Sequence, residues 1–217
     1  MKKTIFIVIA LLAWLAVLLQ YYVLFQKPAL SGMNVVEITF LILNYFTILT
    51  NLLVAISATI SVVAPETSIG RFLTSTNAVS AIAVYIALVG LIFNVVLRSI
   101  DVLVGFTDIL ANELTHLVVP VLYIVFWLVF VPKGELNWRQ PIYWLIYPAF
   151  YLPWVLIYGA LTGRYPYPFV HVGNLGYPAV LLNSLGLFVL CLVVGWIFVG
   201  IDKLMGKKDG KLTAPQD

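Results

Sequence analysis

Hydrophobic and polar positions fall in blocks along this chain. Long apolar runs are separated by short segments rich in proline, glycine or charge. A helix rises 1.5 Å per residue, so about 20 apolar residues cross the hydrocarbon core of a bilayer. Six runs reach that length, over residues 4–25, 36–62, 77–98, 109–131, 141–161 and 178–201. The intervening segments QKPALSG, APETSIGR, RSIDVLVGFTD, PKGELNWRQP and TGRYPYPFVHVGNLGYP carry turn residues and charge. The pattern predicts an all-α membrane protein: a six-transmembrane-helix bundle over residues 1–203 and a polar tail over 204–217. No internal repeat is visible, so the inverted-repeat signature of many transporters is absent.

Composition supports the same class. Of 217 residues 63% are hydrophobic and 10% charged, and the mean hydropathy is +1.06. A soluble surface requires roughly 25% charged residues. The N-terminal stretch MKKTIFIVIALLAWLAVLLQYYVLF has the basic flank of a signal peptide, but its apolar run exceeds the ~7–15 residues of a signal core. It reads as an uncleaved first span. Pro148 and Pro153 each remove a backbone donor and predict a kink in the fifth span.

Lysine and arginine set the expected orientation. With the N-terminus inside, the inner segments hold Lys2, Lys3, Arg71, Lys133, Arg139, Lys203, Lys207, Lys208 and Lys211. The outer loops hold Lys27, Arg98 and Arg164. This asymmetry follows the positive-inside rule and predicts a multi-pass protein of the cell membrane with both termini cytoplasmic. Spans two and four then run in the same direction, from outside to inside.

Several function classes are excluded by counting. No basic block with interleaved aromatics points to nucleic acid. Two histidines and one cysteine, Cys191, make neither a haem pair nor a zinc set, and they allow no intrachain disulfide. Phosphate-cradling glycine motifs and the GxSxG elbow are missing. No metal and no cofactor is expected. Ser184, in NSLG, lacks the glycine-serine context of rhomboid proteases, which also have six spans.

Polar residues inside the spans carry the candidate chemistry. In NYFTILTN, Asn44, Thr47 and Asn51 share a helix face, with Thr50 beside it. Counted from residue 36, Thr47 lies about 11 residues deep, ~17 Å, near the midplane. Helix glue explains any one of these residues, because intramembrane Asn and Thr bond neighbouring helices or their own i−4 carbonyl. Four together call for more. In the fourth span, NELTHLVVP sets Asn112 and His116 four apart. Ionisable groups inside a membrane face the bundle interior or a wet cavity and tend to be functional. A histidine at compatible depth can take the proton of a threonine hydroxyl and return it, as acyl transfer requires. Thr47 and His116 are therefore the catalytic candidates. Asn44, Thr50, Asn51 and Asn112 are supporting or oxyanion candidates.

Asn94, Arg98 and Asp101 form another group, near the outer end of span three. Arg98 with Asp101 reads as an interfacial ion pair, and Arg98 is also a candidate for a carboxylate head group. The segment RYPYPFVHVGNLGYP combines three prolines with aromatics and suits an ordered loop, or a lid, at the outer mouth.

YFTILTN in span two, NELTHLVVP in span four and YPYPF after span five occur in the order seen in the androgen-induced and androgen-dependent transmembrane hydrolases, and the chain resembles a bacterial six-span relative of them. The resemblance implies an intramembrane threonine hydrolase with a Thr–His pair, acting on fatty acid esters of hydroxy fatty acids. It carries the family threonine onto Thr47, the histidine onto His116, and the YPF element onto Tyr167, Pro168 and Phe169. The chain departs from the family pattern at Thr50, which makes Thr50 a rival nucleophile. It departs again at the proline after the histidine, which lies one residue closer. The expected function is hydrolysis of a lipid or fatty acyl ester. A transporter or a lipid-binding membrane protein without catalysis is the alternative.

Overall fold

In the computed structural model, residues 2–212 are described, with side chains over 3–206. The described residues form helices joined by short connections, without strands, and six helices are long and apolar enough to cross a membrane. They form a multi-pass bundle. Helix α1 (Lys2–Gln26) packs along α3 (Phe46–Val63), with Ala10, Ala13 and Ala16 in one buried cluster with Val54, Ala55 and Ala58. Small residues let helix backbones approach closely where lipid supplies no hydrophobic drive. Helix α5 (Thr76–Ile92) has the largest buried share of any span and packs on α3 and α7 (Val119–Phe130). The lipid-facing sides carry Leu11, Leu18, Val63, Val129, Phe150, Leu161 and Leu182 in the open, an apolar girdle that suits a bilayer.

The expected second span, 36–62, is two helices. Helix α2 (Val35–Ile42) starts with a capping box: the Asn34 side chain accepts from Glu37 N–H, and Glu37 accepts from Asn34 N–H. It ends at Leu43, and α3 begins afresh at Phe46. Irregular backbone at membrane depth persists only where protein satisfies its polar groups. Here the carbonyls of Leu43 and Asn44 accept from Trp154 Nε1 at 3.3 Å and Tyr151 Oη at 2.9 Å.

A short helix α4 (Ser68–Thr74) links α3 to α5. Helix α6 (Phe106–Glu113) continues through a π turn, Leu114–Val118, into α7. A second π turn, Phe93–Leu97, ends α5. The fifth span breaks at Leu145 into α8 (Gln140–Trp144) and α9 (Ile146–Thr162), with Pro148 in the first turn of α9 and Pro153 within it. The last helix, α10 (Val172–Leu212), kinks at Gly176 and runs past the expected end at 201 into the tail. The remainder of that tail, residues 213–217, lies outside the described residues.

At the end of the bundle opposite the 163–171 loop, Lys133 Nζ donates to the carbonyls of Trp127 and Val131 and sits 4.2 Å from the Trp127 ring centroid. The fully enclosed Asp202 accepts from Leu136 N–H at 3.0 Å. The Lys133 contacts tie the 131–139 connection to the end of α7, and the Asp202 contact ties it to α10.

Candidate active site

The break in the second span places Thr47 in the first turn of α3, at a helix N-terminus rather than mid-helix. N–H groups there have no intrahelical partner, and the helix dipole is positive. The backbone N–H of Thr47 donates to Tyr167 Oη at 3.3 Å. Its hydroxyl lies 3.3 Å from the same phenol and 3.4 Å from His116 Nε2.

His116 owes its position to Pro120. Proline has no N–H, and its ring crowds the carbonyl four residues back, here that of His116. The chain responds with the π turn, in which Val119 N–H reaches Leu114 O and leaves the carbonyls of Thr115 and His116 to outside partners. Asn51 Nδ2 takes Thr115 O at 3.2 Å and Thr47 O at 2.8 Å. Asn94 Nδ2 takes His116 O at 3.1 Å and Gly90 O at 2.8 Å. A Cβ on Gly90 would lie 3.2 Å from both His116 O and Pro120 Cβ, so glycine permits the close crossing of α5 over the turn. Phe93 stacks on the imidazole, with centroids 3.8 Å apart and planes tilted by 17°.

The imidazole proton follows from its neighbours. His116 Nδ1 is 3.1 Å from the Asn112 carbonyl, which accepts only. Nδ1 therefore carries the hydrogen, and Nε2 presents its lone pair to Thr47. A second acceptor beside Nδ1, Thr115 Oγ1 at 3.1 Å, already donates to Ala111 O.

The supporting candidates separate. Thr50 is fully enclosed and bonds Tyr147 Oη at 3.3 Å, away from His116. Asn51 spends its amide donors on two carbonyls, and Asn112 Nδ2 goes to Asp101 at 2.9 Å. Asn44 is enclosed, and its side chain has no partner among the described residues. None of the last three turns a free donor onto Thr47. Tyr167 does; the sequence named it as part of the YPF element of the resemblance, without assigning it a role. Burial pushes its phenol up to about 12, with the Thr47 hydrogen bonds acting in the opposite sense. It stays protonated at neutral pH.

The expected Arg98–Asp101 pair does not form. Arg98 makes a two-pronged bond to Glu113 at 2.7 and 3.0 Å and donates to Asn94 at 2.8 Å. Glu113, the last residue of α6, offers both carboxylate oxygens to the forked guanidinium, while Asp101 lies in the loop and accepts from Asn112. Arg98 lines neither cavity at the site.

Those cavities meet at Thr47. One, of about 90 Å³, is apolar and runs between α5, α9 and α10, lined by Phe46, Leu88, Val89, Leu152, Phe188 and Cys191. The other, of about 290 Å³, is the more polar of the two, with Lys27, Asp101, Asp108, Asn112 and His116 set among apolar side chains such as Leu24, Ile42, Ile48 and Ile100. Thr47, Phe93, Leu97 and Tyr167 line both. The 163–171 loop forms the partition, since Pro166 and Pro168 face the polar side while Phe169 and Val170 face the apolar one. Comparisons with protein families, curated proteins and solved structures found no match to this chain.

Proposed function

We propose that this chain hydrolyses lipid esters within the membrane, with Thr47 as nucleophile and His116 as general base and acid. The single observation behind this reading is the Thr47–His116 contact at the junction of an apolar and a polar cavity, with the imidazole proton held on Nδ1. The family resemblance of the three motifs agrees with it. The charge asymmetry of the loops adds an orientation: both termini cytoplasmic, the polar cavity opening toward the outer face of the cell membrane.

An acyl chain enters the apolar cavity and its carbonyl carbon meets Thr47 Oγ1, whose proton passes to His116 Nε2 as the new C–O bond forms. Contacts of this type lengthen in the free enzyme and tighten with substrate. Negative charge on the carbonyl oxygen is met by the Tyr167 O–H and the N-terminal field of α3. The ester C–O bond then breaks, and the leaving alkoxide takes the proton from His116. Water, deprotonated by His116, attacks the acyl-threonine and releases the acid, and the proton returns to Thr47.

The test is labelling of the purified protein with a fluorophosphonate. The wild type and Thr50→Ala should form an adduct, Thr47→Ala should not, and mass spectrometry should place it on Thr47. Labelling that survives Thr47→Ala removes the assignment. A solute carrier is the second reading, favoured by the broken span at Leu43–Tyr45, a geometry that transporters use at their binding sites. It requires flux into proteoliposomes without any covalent adduct.

A further inference from the structure

Resting on the hydrolase reading, we infer that Arg98 and Glu113 are positioning residues: they hold the turn that carries His116 against Phe93, so that Nε2 is presented to Thr47. Two π turns meet here, Phe93–Leu97 at the end of α5 and Leu114–Val118 after α6. The first bonds Arg98 N–H to Phe93 O at 2.7 Å, five residues back as a π turn does. It brings the guanidinium over the Phe93 ring, 5.4 Å from the centroid.

Every partner of that guanidinium leads to His116. Nη1 and Nη2 hold the carboxylate of Glu113, the residue that opens the second π turn. Nε donates to Asn94 Oδ1. Arginine only donates, so Asn94 turns its oxygen to Arg98 and its amide hydrogens to the carbonyls of Gly90 and His116. Phe93, the ring that meets the guanidinium, is also the ring stacked on the imidazole at 3.8 Å. Backbone and side chain of His116 are thus both tied to one arginine. Folding gains little from this arrangement. The side chains of Arg98 and Glu113 are 42% and 29% exposed, and so open an ion pair contributes little to stability. A guanidinium fork on a carboxylate does fix geometry, which a general base requires. Arg98 lines neither cavity, so its effect on the reaction passes through His116.

Nuclear magnetic resonance of the purified protein in detergent, with isotope-labelled histidine, reads the imidazole directly. A ring proton over an aromatic face resonates upfield, so the His116 signal should be shifted by Phe93 and return to its ordinary position in Phe93→Leu. His171→Asn removes the other histidine signal and assigns the two. Arg98→Met keeps the stem without the donors and should move the His116 signal most of the way to that of Phe93→Leu. Arg98→Lys should do the same, because an ammonium keeps the charge but lacks the planar fork. Glu113→Gln should move it in the same direction. On a p-nitrophenyl fatty ester, kcat in each Arg98 variant should fall about tenfold with KM within about twofold, less than the roughly 10²-fold cost of a 1 Å displacement. A wild-type signal position or a wild-type kcat in either Arg98 variant, or a loss confined to KM, overturns the proposal. Arg98→Lys decides alone if Arg98→Met folds poorly. The fluorophosphonate adduct on Thr47 is read in parallel. A signal that follows Arg98 without any adduct keeps the positioning role and removes the hydrolase, whereas an adduct with a signal indifferent to Arg98 does the reverse.

Discussion

Two polar groups, His116 Nε2 and the Tyr167 phenol, meet the hydroxyl of Thr47, and the direction of each hydrogen bond follows from the partner that has no choice. The Asn112 carbonyl accepts only, so the imidazole proton sits on Nδ1 and the Thr47 hydroxyl donates to Nε2. The Tyr167 phenol then accepts from Thr47 N–H and donates to Thr47 Oγ1, or to a substrate carbonyl that takes its place. On the proposed mechanism Tyr167 would be the oxyanion donor. Tyr167→Phe should lower kcat by about 10²–10³-fold, the usual loss for one such donor, with KM little moved. A kcat within threefold of wild type would exclude the role, a threshold well below that range. The pH profile offers a second check. An acid whose pKa is raised keeps its proton to higher pH, so with Tyr167 pushed up to about 12, activity should show no falling limb from this group through the neutral and mildly alkaline range.

On the scale of elements, the π turn at Leu114–Val118 and the broken second span are the two irregularities that build the site, and asparagines bind them together. Asn51 joins α3 to the turn through Thr47 O and Thr115 O. Asn51→Ala leaves Thr115 O buried without a partner and should cost about 1–3 kcal/mol, seen as a lower unfolding temperature in detergent. Gly90→Ala acts differently. Its new Cβ would press on the His116 carbonyl and the Pro120 ring from 3.2 Å. The helices can give by a few tenths of an ångström, so stability should hold. Activity should drop about tenfold, since a displacement of about 1 Å costs near 10² in a positioned site. The sequence disclosed the spans because length and hydropathy are set by the bilayer. It disclosed Thr47 and His116 because polar residues in lipid need a reason. It did not disclose the break at Leu43–Tyr45, where no proline or glycine stands. The partners of Tyr167 and Arg98 were also hidden. Each lies across the fold from its partner, and sequence spacing reports only neighbours on one helix.

Two cavities meet at one threonine, and the proposal that the apolar one holds the acyl chain of an ester can be tested with the chain's single cysteine. Cys191 is 3% exposed, lies on α10, and lines the apolar cavity far along the chain from Thr47. Cys191→Phe adds a ring to a space of about 90 Å³ and should shorten the acyl chain the cavity accepts. Each methylene kept out forfeits about 0.8 kcal/mol, or roughly fourfold in kcat/KM. A series of glycerol esters with lengthening acyl chains should therefore show a plateau in kcat/KM at a shorter length in Cys191→Phe than in wild type. The shortest esters, which never reach Cys191, should be hydrolysed alike by both. Fluorophosphonate labelling of Thr47 should remain, because the phenyl group adds bulk away from the hydroxyl. If long and short esters lose activity equally, the variant has disturbed the bundle as a whole, and the apolar cavity does not hold the acyl chain. If only the long esters suffer, hydrocarbon passes along α10 toward Cys191, and the carbonyl is presented to Thr47 from the apolar side.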